Sequence, residues 1–168
     1  MAIVTRQPWF DRLDRRITHF MADHGVTILR MALAIVYLWF GVLKFFPGLS
    51  PAEELAGRTI QTLSGGAIPP EVALPVLATW EVVIGIGLLL GRWMRAVLFL
   101  LFVQMLGTIT PLVLFPNETW MQFPISPTLE GQYIIKNVVL VSAAIVLGAT
   151  VRGGELVPEP VAATPSTV

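Results

Sequence analysis

The chain has 168 residues, of which 55% are hydrophobic and 13% charged, with mean hydropathy +0.74 and a formal net charge of zero. Soluble domains hold about 25% charged residues, so this composition excludes a water-soluble globule and indicates a membrane protein. Zero net charge argues against nucleic acid as a partner, and the absence of cysteine removes disulfides and thiol chemistry.

In chain order, residues 1–25 read as a cytoplasmic, interfacial segment. Trp9, Leu13, Ile17, Phe20 and Met21 recur at helical spacing, with Asp11, Arg12, Asp14, Arg15 and Arg16 on other faces. That pattern suits a helix lying on the membrane surface. The membrane domain follows over residues 26–151, with spans at about 26–47, 71–90, 96–115 and 131–151. Each is close to the roughly 20 residues that cross a bilayer. The first span reads as a retained anchor, since no short apolar run with a small-residue cleavage site precedes it. Ser50-Pro51-Ala52-Glu53 has the form of a helix start, with serine as cap and proline at the first helical position. It predicts a short external helix to Leu63, placed to act as a lid. Gly91 to Arg95 is a tight basic turn, which makes spans two and three antiparallel neighbours. Pro111 should bend span three and free a carbonyl near Gly107. Residues 152–168, rich in proline and small residues, read as a disordered cytoplasmic tail. The expected fold is therefore all-α: a four-transmembrane-helix bundle with an N-terminal interfacial helix and one short external helix.

Arg6, Arg12, Arg15, Arg16, Arg92, Arg95 and Arg152 fall on one side of these spans, against Arg58 alone on the other. The positive-inside rule then puts both termini in the cytoplasm, and a bacterial cytoplasmic membrane is the expected location.

Ionisable residues inside spans are costly and mark a site or a structural pair. Glu81 sits mid-span on a small-residue stripe with Ala78 and Gly85; Lys44 shares a face with Gly41, Tyr37 and Ala34. Lys136 stands in the outer third of span four. At 1.5 Å per residue the two lysines lie roughly 5 to 8 Å deep and Glu81 about 15 Å. If both lysines turn inward, the outer half of the bundle holds a cationic pocket above Glu81 and Gln104. Tyr37, Thr108, Gln132 and Tyr133 are hydrogen-bonding groups placed to line it. A metal site is not expected, since both histidines, His19 and His24, precede the first span. No phosphate loop, metalloprotease motif, nucleophile–base set or dinucleotide fingerprint occurs, so the reading leans away from a self-contained enzyme.

The run Tyr37-Leu38-Trp39-Phe40-Gly41-Val42-Leu43-Lys44-Phe45-Phe46-Pro47 resembles the Gly-x-x-Lys-Phe close of the first helix in DoxX-like membrane proteins. Trp80-Glu81 with Gly85 and Gly87 resembles their second helix, and Gly131-Gln132-Tyr133-Ile134-Ile135-Lys136-Asn137 the start of their fourth. The nearest branch is the one with reactive-chlorine-resistance membrane proteins. The resemblance implies a four-helix bundle and an association with redox chemistry. Members are linked to thiosulfate:quinone oxidoreduction, to a complex with superoxide dismutase and a sulfurtransferase, and to oxidant resistance. On that basis the chain reads as a non-catalytic membrane subunit of a quinone-linked or oxidative-stress redox system. It would have no intrinsic cofactor, a quinone as candidate ligand, and redox-enzyme subunits or further copies of itself as candidate partners in the lipid bilayer. A small transporter for protons, anions or a metabolite, and a scaffold with purely structural buried charges, are the alternatives.

Overall fold

A computed structural model describes residues 8–154 and Leu156. Arg6 and most of the expected tail lie outside the described residues. The elements in order are α1 (Pro8–Leu43), α2 (Glu53–Leu63), α3 (Pro70–Leu90), α4 (Met94–Ile109), α5 (Pro111–Leu114), α6 (Pro116–Thr119), β1 (Trp120–Gln122), β2 (Ser126–Pro127) and α7 (Leu129–Ala149). Among the described residues four stretches are long and apolar enough to cross a membrane: Trp9–Leu43, Pro70–Leu90, Met94–Leu114 and Leu129–Ala149. They form a ring in which α1 packs on α3, α3 on α4, α4 on α7 and α7 back on α1.

Two expectations change. The separate interfacial helix is absent as an element, because α1 runs unbroken through Gly25 for 36 residues. A single glycine costs a helix only about 1 kcal/mol, and no proline stands near it to interrupt the backbone ladder. The short helix starts at Glu53 rather than Pro51, with Ala52 in the cap position and no side-chain cap. Glu53 instead reaches backwards, its carboxylate accepting from the Gly48 N–H at 2.7 Å.

The helix ends are each closed by an identifiable partner. Gly91 ends α3 in the left-handed conformation at φ 63°, and the Arg30 guanidinium from α1 donates to the Leu88 and Leu89 carbonyls there. These are carbonyls the α3 ladder leaves open, at the end where a cation is favoured. Pro111 has no N–H to give Gly107, and α4 stops two residues before it. The Gly107 carbonyl accepts instead from the backbone N–H and hydroxyl of Thr110. Beyond α5 the connector is ordered into α6 and a small antiparallel hairpin, which periodicity did not suggest. Thr128 caps α7, its hydroxyl accepting from the Gly131 N–H.

Inside a bilayer, helices associate through close packing rather than through exclusion of water. The core accordingly mixes alanines with branched side chains: Ala34, Ala78 and Ala144 are wholly buried beside Ile84, Leu88 and Leu101. The most extensive contact between spans is that of α1 with α3. A Cβ on Gly85 would meet the Leu38 backbone nitrogen at 2.9 Å, and one on Gly41 would meet the Glu81 Cβ at 3.0 Å. Gly85→Leu should therefore force α1 and α3 apart and lower stability by about 1–3 kcal/mol. Thermal unfolding in detergent checks this; an unchanged Tm would show that the contact is loose.

Candidate functional site

The site begins where α1 ends. Gly41 packs level with Glu81 and Val82, so Leu43, the last residue of α1, stands beside about Thr79. Helix α3 continues nine residues further, to Pro70, roughly 14 Å at helical rise. Span one thus gives out midway along its neighbour, and residues 44–52 with α2 occupy the space above. Lys44, expected near the surface, is at the level where the helix stops, with its side chain only 8% exposed.

Its ammonium is met on two sides. It donates to the Phe40 carbonyl at 3.2 Å and to Glu81 Oε2 at 2.6 Å. The first contact places a cation on the open carbonyls of a helix C-terminus, where the backbone dipole favours it. The second is an ion pair shielded from solvent, with the Glu81 side chain 9% exposed. Gln104 from α4 donates to the other carboxylate oxygen, Glu81 Oε1, at 3.1 Å, and Tyr37 donates to Gln104 Oε1 at 3.1 Å. A continuous chain, Tyr37 to Gln104 to Glu81 to Lys44, so joins α1, α3 and α4. Glu81 is eleven residues into α3, about 16 Å by helical rise. Such a pair repays its desolvation only with good geometry and every remaining polar atom satisfied, and here both carboxylate oxygens are used.

This chain forms the floor of a chamber of about 450 Å³. Ser50 and Leu55 line it from the roof, and Asn137 and Tyr133 from α7. Of the residues singled out in the sequence, Lys44, Glu81, Gln104 and Tyr37 come together. Tyr133 stands at the mouth, 62% exposed. Thr108 is spent within α4, donating to the Gln104 carbonyl at 3.0 Å. Lys136 and Gln132 are exposed and do not line the chamber. The expectation of two inward lysines is corrected accordingly. At the first turns of α7 it is Gly131 and Ile134 that face inward, on the side of the helix roughly opposite position 136. Its ammonium lies over the Tyr133 ring, 5.3 Å from the centroid. With a single lysine, already paired, the chamber is not cationic. Asn137, Ser50 and Glu130 line it and were not anticipated as site residues; Asn137 is next to the lysine that drew attention.

The roof is tied to the connector. Arg58 on α2 makes two hydrogen bonds to the Glu118 carboxylate and lies over the Phe115 ring at 5.1 Å. Glycine at position 57 lets α2 close on Pro70, where an added Cβ would meet the proline side chain at 3.1 Å. The Arg58 hydrogen bond holds the Glu118 carboxyl below its ordinary value, and the carboxylate in turn raises Arg58.

Two outcomes follow from this geometry. Glu81→Ala leaves Lys44 buried without its counter-ion and should cost about 3–5 kcal/mol, whereas joint Lys44→Met and Glu81→Leu replacement should be near neutral. Thermal unfolding of the single and double variants tests this, and equal losses in both would refute it. A depressed carboxyl contributes stability above its unfolded value and loses it as pH falls through the folded one. The protection of α2 amides, after correction for the intrinsic pH dependence of exchange, should therefore be constant near neutrality and fall only below the usual carboxylate range. Glu118→Gln should remove that acid limb.

Compared with known families, residues 25–115 match DoxX. No curated protein and no solved structure matches. The matched stretch is more than half of the chain and carries Tyr37, Lys44, Glu81 and Gln104, the four members of the hydrogen-bonded floor. With four helices long and apolar enough to span a bilayer, the chain is an integral membrane protein that belongs to the DoxX family.

Proposed function

We propose that this chain is a membrane subunit of a quinone-linked or oxidative-stress redox system, and that its chamber holds a quinone head group. The observation that carries the reading is the Tyr37–Gln104–Glu81–Lys44 chain on the floor of a chamber at mid-bundle depth. Quinone chemistry couples electrons to protons, and this chain supplies a connected set of proton-bearing groups beside an apolar wall. A substituted quinone ring suits the chamber's volume and its mixture of polar floor and apolar lining. The protein's own part is to bind the ring, keep bulk water away and hold protons at Tyr37 and Lys44. Electrons would come from a partner subunit, since the chain has no cysteine for thiol chemistry. The resemblance to reactive-chlorine-resistance proteins supports the oxidative-stress setting.

The arginine distribution supports an orientation with both termini in the cytoplasm of a bacterium. Arg12, Arg15, Arg16, Arg92, Arg95 and Arg152 lie at the end of the bundle opposite the roof. The chamber then lies in the outer half. Below it Leu33, Ile84, Leu88, Leu101 and Leu147 fill the bundle, each at most 3% exposed. That plug favours a closed binding site over a transport path.

Protein purified from quinone-containing membranes should carry quinone, detected by mass spectrometry of an organic extract. Joint Lys44→Met and Glu81→Leu replacement should lower the retained quinone at least tenfold, and Lys136→Ala should leave it unchanged. Wild-type protein without quinone would overturn the reading. Retention in the double variant would assign the buried charges to scaffolding, and solute flux in liposomes would favour the transporter.

A further inference from the structure

Every charged side chain on the chamber floor already has a partner, and the polar groups left over are neutral. Lys44 is held by Glu81 and the Phe40 carbonyl, and both Glu81 oxygens are occupied. The Ser50 side chain lines the chamber from the roof, and the residue is 91% buried, with 9% of its surface exposed. Among the described residues its hydroxyl has no hydrogen-bond partner. The same holds for the Asn137 amide, which lines the chamber from α7. Helix α7 and the roof segment thus bring two unsatisfied neutral groups, one hydroxyl and one amide, to one cavity. Neither group is sealed off from solvent, so each is reachable from the chamber and keeps its donor and acceptor capacity for a guest.

Building on the reading of the chamber as a ligand site, we propose that Ser50 and Asn137 read its ligand, and that the ligand is a neutral amphiphile with a carbonyl or hydroxyl head. An asparagine amide offers two donors and an acceptor, and a serine hydroxyl offers one donor and two acceptor positions. Together they match carbonyl and hydroxyl oxygens and carry no charge to offset an anion. Among the described residues the wall carries one further carboxylate, that of Glu130, exposed at the mouth, where it repels anions. The apolar part of the ligand has a path. Phe40 on α1 and Tyr133 on α7 flank the chamber and are 52% and 62% exposed. They stand on the outer surface of the α1–α7 seam, which faces acyl chains in a bilayer. The head would rest under the roof while the tail lies along this seam in the lipid.

The test measures binding to the full chain in nanodiscs by native mass spectrometry, with empty nanodiscs as the control. Three compounds share a decyl tail: a decyl-substituted benzoquinone, monodecanoylglycerol and decyl sulfate. The two neutral compounds should bind, and decyl sulfate should bind at least tenfold more weakly. Asn137→Leu keeps the volume and removes an unpaired polar group, so the fold should survive; it should weaken neutral-ligand binding about tenfold. Ser50→Ala should weaken it severalfold, Asn137→Gln should restore part of the affinity, and Lys136→Ala should change nothing. Binding of monodecanoylglycerol alone, sensitive to Asn137, would remove the quinone and leave this inference standing. Quinone binding unaffected by Asn137→Leu and Ser50→Ala would overturn the inference and leave the quinone reading intact. Tighter binding of decyl sulfate would overturn the neutral class, and no binding of any compound would overturn both.

Discussion

A charge held away from water at mid-bilayer depth has to be met where it stands, and the architecture around Lys44 follows from that requirement. Three things meet it together: the end of a helix, a carboxylate and an amide that fixes the carboxylate. Helix α1 stops at Leu43, which exposes its last carbonyls to the Lys44 ammonium. Glycine at positions 41 and 85 lets α1 and α3 approach until Glu81 is within reach. Gln104 then ties the carboxylate to α4, and Tyr37 returns the chain to α1. Remove the close approach and the ion pair loses its geometry. Remove Glu81 alone and the Lys44 ammonium at the end of α1 is left buried without its counter-ion.

The early end also makes the chamber. A first helix that continued to the level of Pro70 would fill the space now bounded by the roof. The chain instead passes through Gly48 at φ 79°, turns back and lays α2 across the opening. The roof is polar outside, with Arg58 clamped to Glu118, while its inner side offers Leu55 and the Ser50 hydroxyl. Polar floor, apolar wall and covered top thus come from one interruption in one helix.

Much of this was legible in the residues. Lys44 and Glu81 stood out because a charged type in an apolar run is rare, and the small residues beside them marked the faces that pack. Gln104 and Tyr37 could be placed on those faces from helical spacing. The phase of α7 could not be read, because its apolar residues surround the helix and no stripe distinguishes one side. Lys136 was therefore assigned inward on charge alone, while Asn137, one position along, was passed over. Ser50 looked like a helix cap, but α2 starts only at Glu53 and has no side-chain cap. The Arg58–Glu118 clamp joins residues sixty positions apart across irregular segments, where neither periodicity nor spacing carries information. Continuity through Gly25 was hidden by a change of composition, which marks a change of surroundings and need not break a backbone.

That continuity gives α1 a mechanical character. From Pro8 to Leu43 it is one rod, about 54 Å long. At one end it carries the exposed apolar side chains of Trp9, Leu13, Ile17 and Phe20, and at the other the floor of the chamber. Arg30 fastens it to the end of α3 between the two, in the position of a fulcrum. Lys44 is fourteen residues from that point, about 21 Å along the axis. A tilt of about 5° there would carry Lys44 by roughly 2 Å, comparable with the whole 2.6 Å length of its ion pair. Trp9 is twenty-one residues from the same point, so whatever displaces the arm there moves Lys44 about two-thirds as far.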